Sequence, residues 1–265
     1  MTQDLITEVA GSVASVTLNR PDVRNALSAE MVQGMKDFFL AVERDDSIRC
    51  LVIRGAGEHF MAGGDVKGFG RFRGMPASER RDSFERRIHE LHPAIFTLRR
   101  MNKPVLASVQ GAAAGFGLSL MMACDLVIAA DSAFFTLAYI NIGTSPDGSG
   151  TYFLPRIVGQ KKAMEIALLG DRFDAEAAKA AGLINFIVPA ADLAAETAKL
   201  AARLAQGPTR AIANTKRLIN MSLEQSLESQ LQAEAMSFAD CAASEDWIEG
   251  VTAFAEKRKP KFRGR

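Results

Sequence analysis

Two short runs of small residues carry the first chemical signal in this chain. Ala62-Gly63-Gly64-Asp65 follows one apolar stretch, and Gly111-Ala112-Ala113-Ala114-Gly115-Phe116-Gly117 follows another. Each reads as a turn between a strand and a helix, with little side-chain bulk to keep a second segment or a ligand away. The first N–H groups of a helix lack intrahelical acceptors and point into the turn before them. If the fold brings the two turns together, the main-chain N–H groups of Gly64 and Phe116 converge on one oxygen. Two such donors make an oxyanion hole, and losing one typically costs ~2.7–4 kcal/mol of transition-state stabilisation. The same runs also read as tight turns packed inside an α/β core. They contain neither the GK[ST] of a P-loop nor, at 111–117, the dinucleotide fingerprint GxGxxG.

Three further titratable side chains, Asp147, His89 and His92, each have a chemical and a plain reading. Asp147 lies in Ser145-Pro146-Asp147-Gly148-Ser149. Burial near apolar residues such as Phe116, Tyr139 and Ile142 would raise its carboxyl toward the range of a general base. Pro-Asp-Gly is equally a turn, and an aspartate ahead of a helix is equally a cap. His89 and His92 stand three apart, on one face if the segment is helical. A metal pair needs more ligands than the sequence offers, so no metal is expected, and a packed or surface histidine is the plain alternative. The three cysteines, Cys50, Cys124 and Cys241, are far apart and form no CxxC pair. They argue for a reducing compartment and against a disulfide framework or a zinc site.

The elements that must position these groups follow from the apolar pattern. Residues 5–18 alternate around Gly11 and predict a β-hairpin. Ser28 caps a helix whose apolar positions Met31, Met35, Phe38, Phe39 and Val42 form one face. Cys50-Leu51-Val52-Ile53 and Val105–Val109 read as buried strands, and Leu126–Ala130 and Ala133–Phe135 as two more. The turn at 57–65 is expected to enter a short helix. Residues 70–87 are irregular or weakly helical, with arginines interleaved with acids as a solvated face, or else as a mobile cover rich in cations. Ile88–Met101 continues as an amphipathic helix that Pro93 should break or restart. A helix is expected over 155–170 and another over Ala175–Ala181, and helices follow to the end. This is an α/β chain, with residues 1–190 as the core and residues 191–265 as a helical region.

Composition agrees with a globular protein. The chain has 265 residues, 48% hydrophobic and 24% charged, enough for one sizeable core. A net charge of +1 gives no general pull toward nucleic acid or a membrane. No apolar run reaches the roughly 20 residues that span a bilayer. The opening MTQDLITEVAG has no cationic start and no long apolar stretch, so a cytoplasmic protein is expected.

Taken together, Asn19-Arg20-Pro21, Asn25-Ala26-Leu27, Phe60-Met61-Ala62-Gly63-Gly64-Asp65, Lys103-Pro104-Val105, Gly111–Gly115 and Ala123-Cys124-Asp125 resemble the crotonase superfamily, the enoyl-CoA hydratases and isomerases. The likeness runs to the ending Phe254-Ala255-Glu256-Lys257-Arg258-Lys259-Pro260. It implies a core of ββα turns in a spiral, with a C-terminal helical region that forms trimers, often paired into hexamers. It assigns the oxyanion hole for a CoA thioester to the backbone of Gly64 and Phe116. The CoA cradle maps to Arg24, Ala26, Ala62, Gly64, Asp65 and Val66, with Phe254 and Lys257 supplied by a neighbouring subunit. No cofactor is implied, since coenzyme A is part of the substrate. The basic residues of the tail read as a solvated end, with one or two available to a phosphate.

The departures from the family pattern are informative. The two glutamates that hold water in hydratases fall on Ser119 and Tyr139, which argues against two-glutamate hydration. Asp147 matches the acid of isomerase-type members. The reading is an enoyl-CoA isomerase in which Asp147 shuttles a proton and Tyr139 and Ser119 shape or polarise the pocket. Two alternatives stand beside it. In a hydrolytic aryl-CoA dehalogenase, Asp147 would be the nucleophile and His92 the base. In a non-catalytic acyl-CoA-binding member, the site would have lost its acids.

Overall fold

The computed structural model describes residues 4–265. The hairpin expected around Gly11 forms from β1 (Leu5–Ala10) and β2 (Val13–Leu18), paired antiparallel with Leu5 opposite Leu18. Ser28 caps α1 (Ala29–Arg44), its Oγ accepting the Met31 N–H at 3.0 Å, and Met31, Met35, Phe39 and Val42 are buried. Then follow β3 (Cys50–Gly55), α2 (Ala77–Arg100), β4 (Val105–Val109), β5 (Ala112–Ala114), α3 (Phe116–Met122), β6 (Leu126–Ala130) and β7 (Phe134–Thr136). The chain continues through α4 (Gly150–Val158), α5 (Gln160–Leu169), β8 (Phe173–Asp174), α6 (Ala175–Ala180) and β9 (Phe186–Val188). Four helices complete it: α7 (Leu193–Ala205), α8 (Thr209–Met221), α9 (Leu227–Ala242) and α10 (Glu245–Ala255).

The strands make a six-stranded sheet in the order β1-β2-β3-β4-β6-β9 and a three-stranded sheet β5-β7-β8. From β2 to β9 all pairings in the large sheet are parallel, and every residue of β4 is buried. A parallel sheet covered on both faces needs apolar residues on both, which is why β3 and β4 read as unbroken hydrophobic runs. Period-two alternation splits those runs between two cores. Leu51, Ile53, Val105, Ala107, Val127 and Ala129 join the main core with α1, α2 and α3. Cys50, Val52, Leu106, Ile128 and Ala130 face the opposite way, against Leu193, Ala201 and Ala205 of α7.

Three expectations are corrected. Helix α2 runs unbroken through Pro93 for 24 residues, because Leu91, Ala94, Ile95 and Leu98 are buried along it and their packing outweighs the lost N–H. The helix expected over 155–170 is two, α4 and α5, divided at Gly159 with φ +77°. Residues 77–87, expected to be irregular or weakly helical, are the regular first half of α2, while the first glycine turn does enter a short helix, the 3-10 turn Gly68–Phe72. Short strands β5, β8 and β9 were beyond the apolar pattern.

Buried lysines tie the helices to the core. Lys103, 4% exposed, donates to the carbonyls of Val42 and Asp45 at the end of α1. Lys216 of α8 pairs with Asp125 at 2.8 Å and donates to the carbonyl oxygens of Leu98 (2.8 Å) and Lys103 (3.2 Å). The basic tail keeps its side chains exposed, as expected of a solvated end, but it is not loose. Arg258 pairs with Glu249, and the buried Asp246 carboxylate accepts the N–H groups of Arg263 and Gly264.

Candidate active site

The two glycine turns meet. Strand-like bonds join them, Met61 N–H to the Ala112 carbonyl and Ala114 N–H to the Met61 carbonyl, both 2.9 Å. At Gly63, φ is +95°, and a Cβ there would lie 2.9 Å from the Ala114 oxygen and 3.2 Å from the Phe116 nitrogen. Only glycine allows so close an approach in that conformation. Phe116 is the first residue of α3. Among the described residues, no acceptor takes the N–H of Gly64 or that of Phe116. Both are therefore available to an outside oxygen.

Asp147 lies beside this point. Gly148 (φ +58°) rests on the Phe116 ring so closely that a Cβ would come within 2.4 Å of it. The Asp147 carbonyl accepts from Ser119 Oγ at 3.0 Å, and Ser119 is one turn along α3 from Phe116. The Asp147 side chain is half-buried, and its Oδ1 accepts the Tyr139 hydroxyl at 2.5 Å. Burial raises the Asp147 carboxyl above the usual carboxylate range, against the Tyr139 hydrogen bond and the charge of His92. Burial first, then the Asp147 charge and hydrogen bond, push the Tyr139 phenol well up, so it stays a donor.

His92, half-buried on α2, is close enough to act on the Asp147 charge. Its ring stands 5.2 Å from that of His89, which pairs with Glu85. Among the described residues no group of three or more His, Cys, Asp or Glu side chains is gathered to hold a metal. Above the first turn the Phe69 ring reaches within 3.0 Å of where a Gly64 Cβ would be, and it packs edge-on to Phe84 of α2 at 5.1 Å.

The predicted CoA residues of the first turn also come together. Ala62 N–H donates to the Arg24 carbonyl (2.9 Å) and Leu27 N–H to the Gly63 carbonyl (2.8 Å). Ala26 is buried beneath them, whereas Arg24 and Val66 are exposed. Asp65 accepts the Gly68 N–H at 3.0 Å and pairs with Arg20 at 3.6 Å. Phe254 and Lys257 lie elsewhere, at the end of α10, both exposed, and no hydrogen bond or ion pair joins them to this cradle among the described residues. Sequence reasoning missed Asn25 as the organiser. Fully buried, it donates to the carbonyls of Ala56, His59 and Phe60 and accepts the Arg20 N–H. Its signal was a polar residue between turn-forming neighbours in a motif already noted. Arg20 was noted only as part of the Asn19-Arg20-Pro21 motif, and Phe69 carried no signal.

The chain is similar to known proteins along nearly its whole length. Residues 8–265 match the family model described as enoyl-CoA hydratase/isomerase. The chain is 38% identical, over all of both chains, to a protein of Escherichia coli (strain K12) named 1,2-epoxyphenylacetyl-CoA isomerase. It is 39% identical to a probable enoyl-CoA hydratase of Rhodobacter capsulatus, covering 97% of each. Among solved structures, an enoyl-CoA hydratase from Polaromonas sp. JS666 superposes with a TM-score of 0.92 at 34% identity, covering 98% of this chain and 99% of the other.

Proposed function

Because the chain belongs to the enoyl-CoA hydratase/isomerase family, with the crotonase fold, we propose that it is an enoyl-CoA isomerase with Asp147 as the general acid/base. The observation that carries the reading is the setting of Asp147, a half-buried carboxyl bonded to Tyr139 on a loop that Ser119 and the Phe116 ring hold against α3, whose first N–H is unpaired. The thioester carbonyl oxygen lies between the N–H groups of Gly64 and Phe116. Asp147 takes a proton from the carbon next to the carbonyl, and the C–H electron pair moves onto that oxygen as an enolate. The two amides stabilise the developing charge. The protonated Asp147 returns the proton two carbons further along the conjugated system. The double bond shifts, and no electron or proton is gained or lost overall.

Arg24, Ala26, Ala62, Asp65 and Val66 cradle the CoA, and Phe254 and Lys257 reach it from a neighbouring subunit of a homotrimer or dimer of trimers. The step calls on no metal or redox cofactor, and coenzyme A enters as part of the substrate. Nucleic acid and membrane have no part in it, and the setting is cytoplasmic. Hydratase names are common among the relatives. Ser119 and Tyr139, at the positions of the hydratase glutamates, favour isomerisation because neither can serve as a carboxylic acid or base.

The test is conversion of a 3-enoyl-CoA to the 2-enoyl-CoA. Asp147→Asn is expected to lower kcat by about 10²–10⁴-fold, the usual share of acid–base catalysis, with thioester binding nearly unchanged. Normal turnover by that variant would overturn the assignment. The nearness of His92 to Asp147 favours a second reading, aryl-CoA dehalogenation with Asp147 as nucleophile and His92 as base. Halide release from a halobenzoyl-CoA would establish it in place of the first.

A further inference from the structure

We infer that Tyr139 and Ser119 are positioning residues that grip Asp147 at its side chain and its main chain, so that Oδ2 alone is offered to the acyl carbons. The inference rests on the general-base reading of Asp147 and deepens it. Oδ1 is occupied by the Tyr139 hydroxyl at 2.5 Å, the distance of a charge-assisted O–H···O⁻ bond. The carbonyl oxygen of the same residue accepts from the fully buried Ser119 Oγ at 3.0 Å and from the Gly150 N–H at 3.2 Å. Apart from the backbone of Asp147 itself, no residue among those described donates a hydrogen bond to Oδ2. It is not sealed inside the protein either, for Gln230 Oε1 is the one buried side-chain polar atom without a partner among those residues. One oxygen is thus fixed and the other faces open space.

The backbone supports the grip. Ala138, just before Tyr139, has φ +26°, and Ser149, two residues after Asp147, has φ +82°. Non-glycine residues in this region are strained and persist where surrounding contacts hold them. The strain brackets the loop that carries both Tyr139 and Asp147. The two positions that would bear the hydratase glutamates thereby serve a third carboxyl.

The grip has an electrostatic consequence. The titratable groups facing Asp147 are Tyr139, from the turn after β7, and His92, from α2. Helix α3 presents Ser119 and Phe116, and α4 presents Gly150, none of which titrates. Tyr139 favours the ionised carboxylate and so opposes burial.

The experiment is a ¹³C NMR titration of the Asp147 carboxyl in the full chain, its resonance assigned with Asp147→Asn, which reads the grip without any turnover. Tyr139→Phe is expected to raise the titration midpoint by about one pH unit, the effect of removing a hydrogen bond to a charged group. The acidic limb of kcat/KM on a 3-enoyl-CoA moves by the same amount, and kcat falls more than KM rises. Ser119→Ala lowers kcat and leaves the midpoint in place. Should Tyr139→Phe not fold, 3-fluorotyrosine at 139, a stronger donor, moves the midpoint down instead. A midpoint unmoved by either change at 139 overturns the inference. Absence of isomerase activity alongside a shifted midpoint would overturn the proposed function and leave the grip standing.

Discussion

Asp147 sits where an ionised carboxyl is poorly solvated: burial raises its pKa, and the Tyr139 hydroxyl and the His92 charge act the other way without cancelling it. A carboxyl whose folded pKa lies above its unfolded value binds more protons in the native state between those two values. Stability therefore falls as pH rises through that window and stays lower above it. Asp147→Asn removes the penalty. Its thermal midpoint is expected to exceed that of the wild type at pH 7, with the gap closing as pH drops below the native carboxyl's own midpoint. Scanning calorimetry between pH 4 and 8 checks this, and a variant less stable than wild type at pH 7 would contradict it. Activity and stability are thus opposed at this residue, as in sites where a strained group is kept for its chemistry. Asp147 was legible through the family resemblance, as the match to the acid of isomerase-type members, whereas its own neighbours read equally as a turn or a helix cap. The grip of Tyr139 was not. It closes through a loop that depends on Ala138 and Ser149 taking positive φ, which neither residue type announces. Ser119 read as pocket lining and instead holds a main-chain carbonyl.

Elements were legible where burial imposes a period. The face of α1, its serine cap and the unbroken runs of β3 and β4 follow from helix and strand geometry alone. They were illegible where packing overrides local preference, as at Pro93 in α2, or where an element is too short to show a period, as in β5, β8 and β9. Attachments between elements are a third case. Lys103 and Asp125 were noted as parts of motifs, but their work is to join helices to the sheet. Lys103 satisfies carbonyls at the end of α1, and Asp125 accepts the Val105 N–H at 2.7 Å while pairing with Lys216. Lys216 is the one link of the three contributed by α8. Its replacement by methionine leaves the Asp125 carboxylate, 24% exposed, without its cation, at a cost expected to lie below the about 3 kcal/mol of breaking a fully buried pair. Urea unfolding is expected to show that loss, and the double variant Lys216→Met/Asp125→Asn to recover part of it, since the remaining charge is then gone. An unchanged unfolding midpoint in Lys216→Met would mean that α8 is held by its other contacts, the Arg99–Asn220 hydrogen bonds among them.

At the scale of the molecule, the large core is closed and the C-terminal helices are not. Leu227, Leu231 and Phe238 fall on one face of α9 by their spacing, and they are 69%, 54% and 73% exposed, with Leu223 and Ile248 similarly bare. Scattered exposed apolar residues are ordinary, but an aligned apolar stripe marks a surface meant to be covered. Which apolar residues of this region stay uncovered could not be read from the chain, because an alanine- and leucine-rich helix looks the same whether it packs on its own sheet, as α7 does, or on another copy. The proposed trimer supplies the cover, and it also explains why Phe254 and Lys257 stand apart from the cradle at Arg24, Ala62 and Val66. Light scattering is expected to show an assembly of three or six chains, and Leu231→Glu/Phe238→Glu to yield monomers. The monomers should bind a CoA thioester about tenfold more weakly, because each cradle then lacks the phosphate contact of its neighbour's Lys257, a hydrogen bond to a charged group. Their oxyanion turns, built wholly within one chain, should remain intact. A wild-type monomer at tens of micromolar, or monomers of the variant that bind as tightly as the wild type, would remove the neighbour from the site.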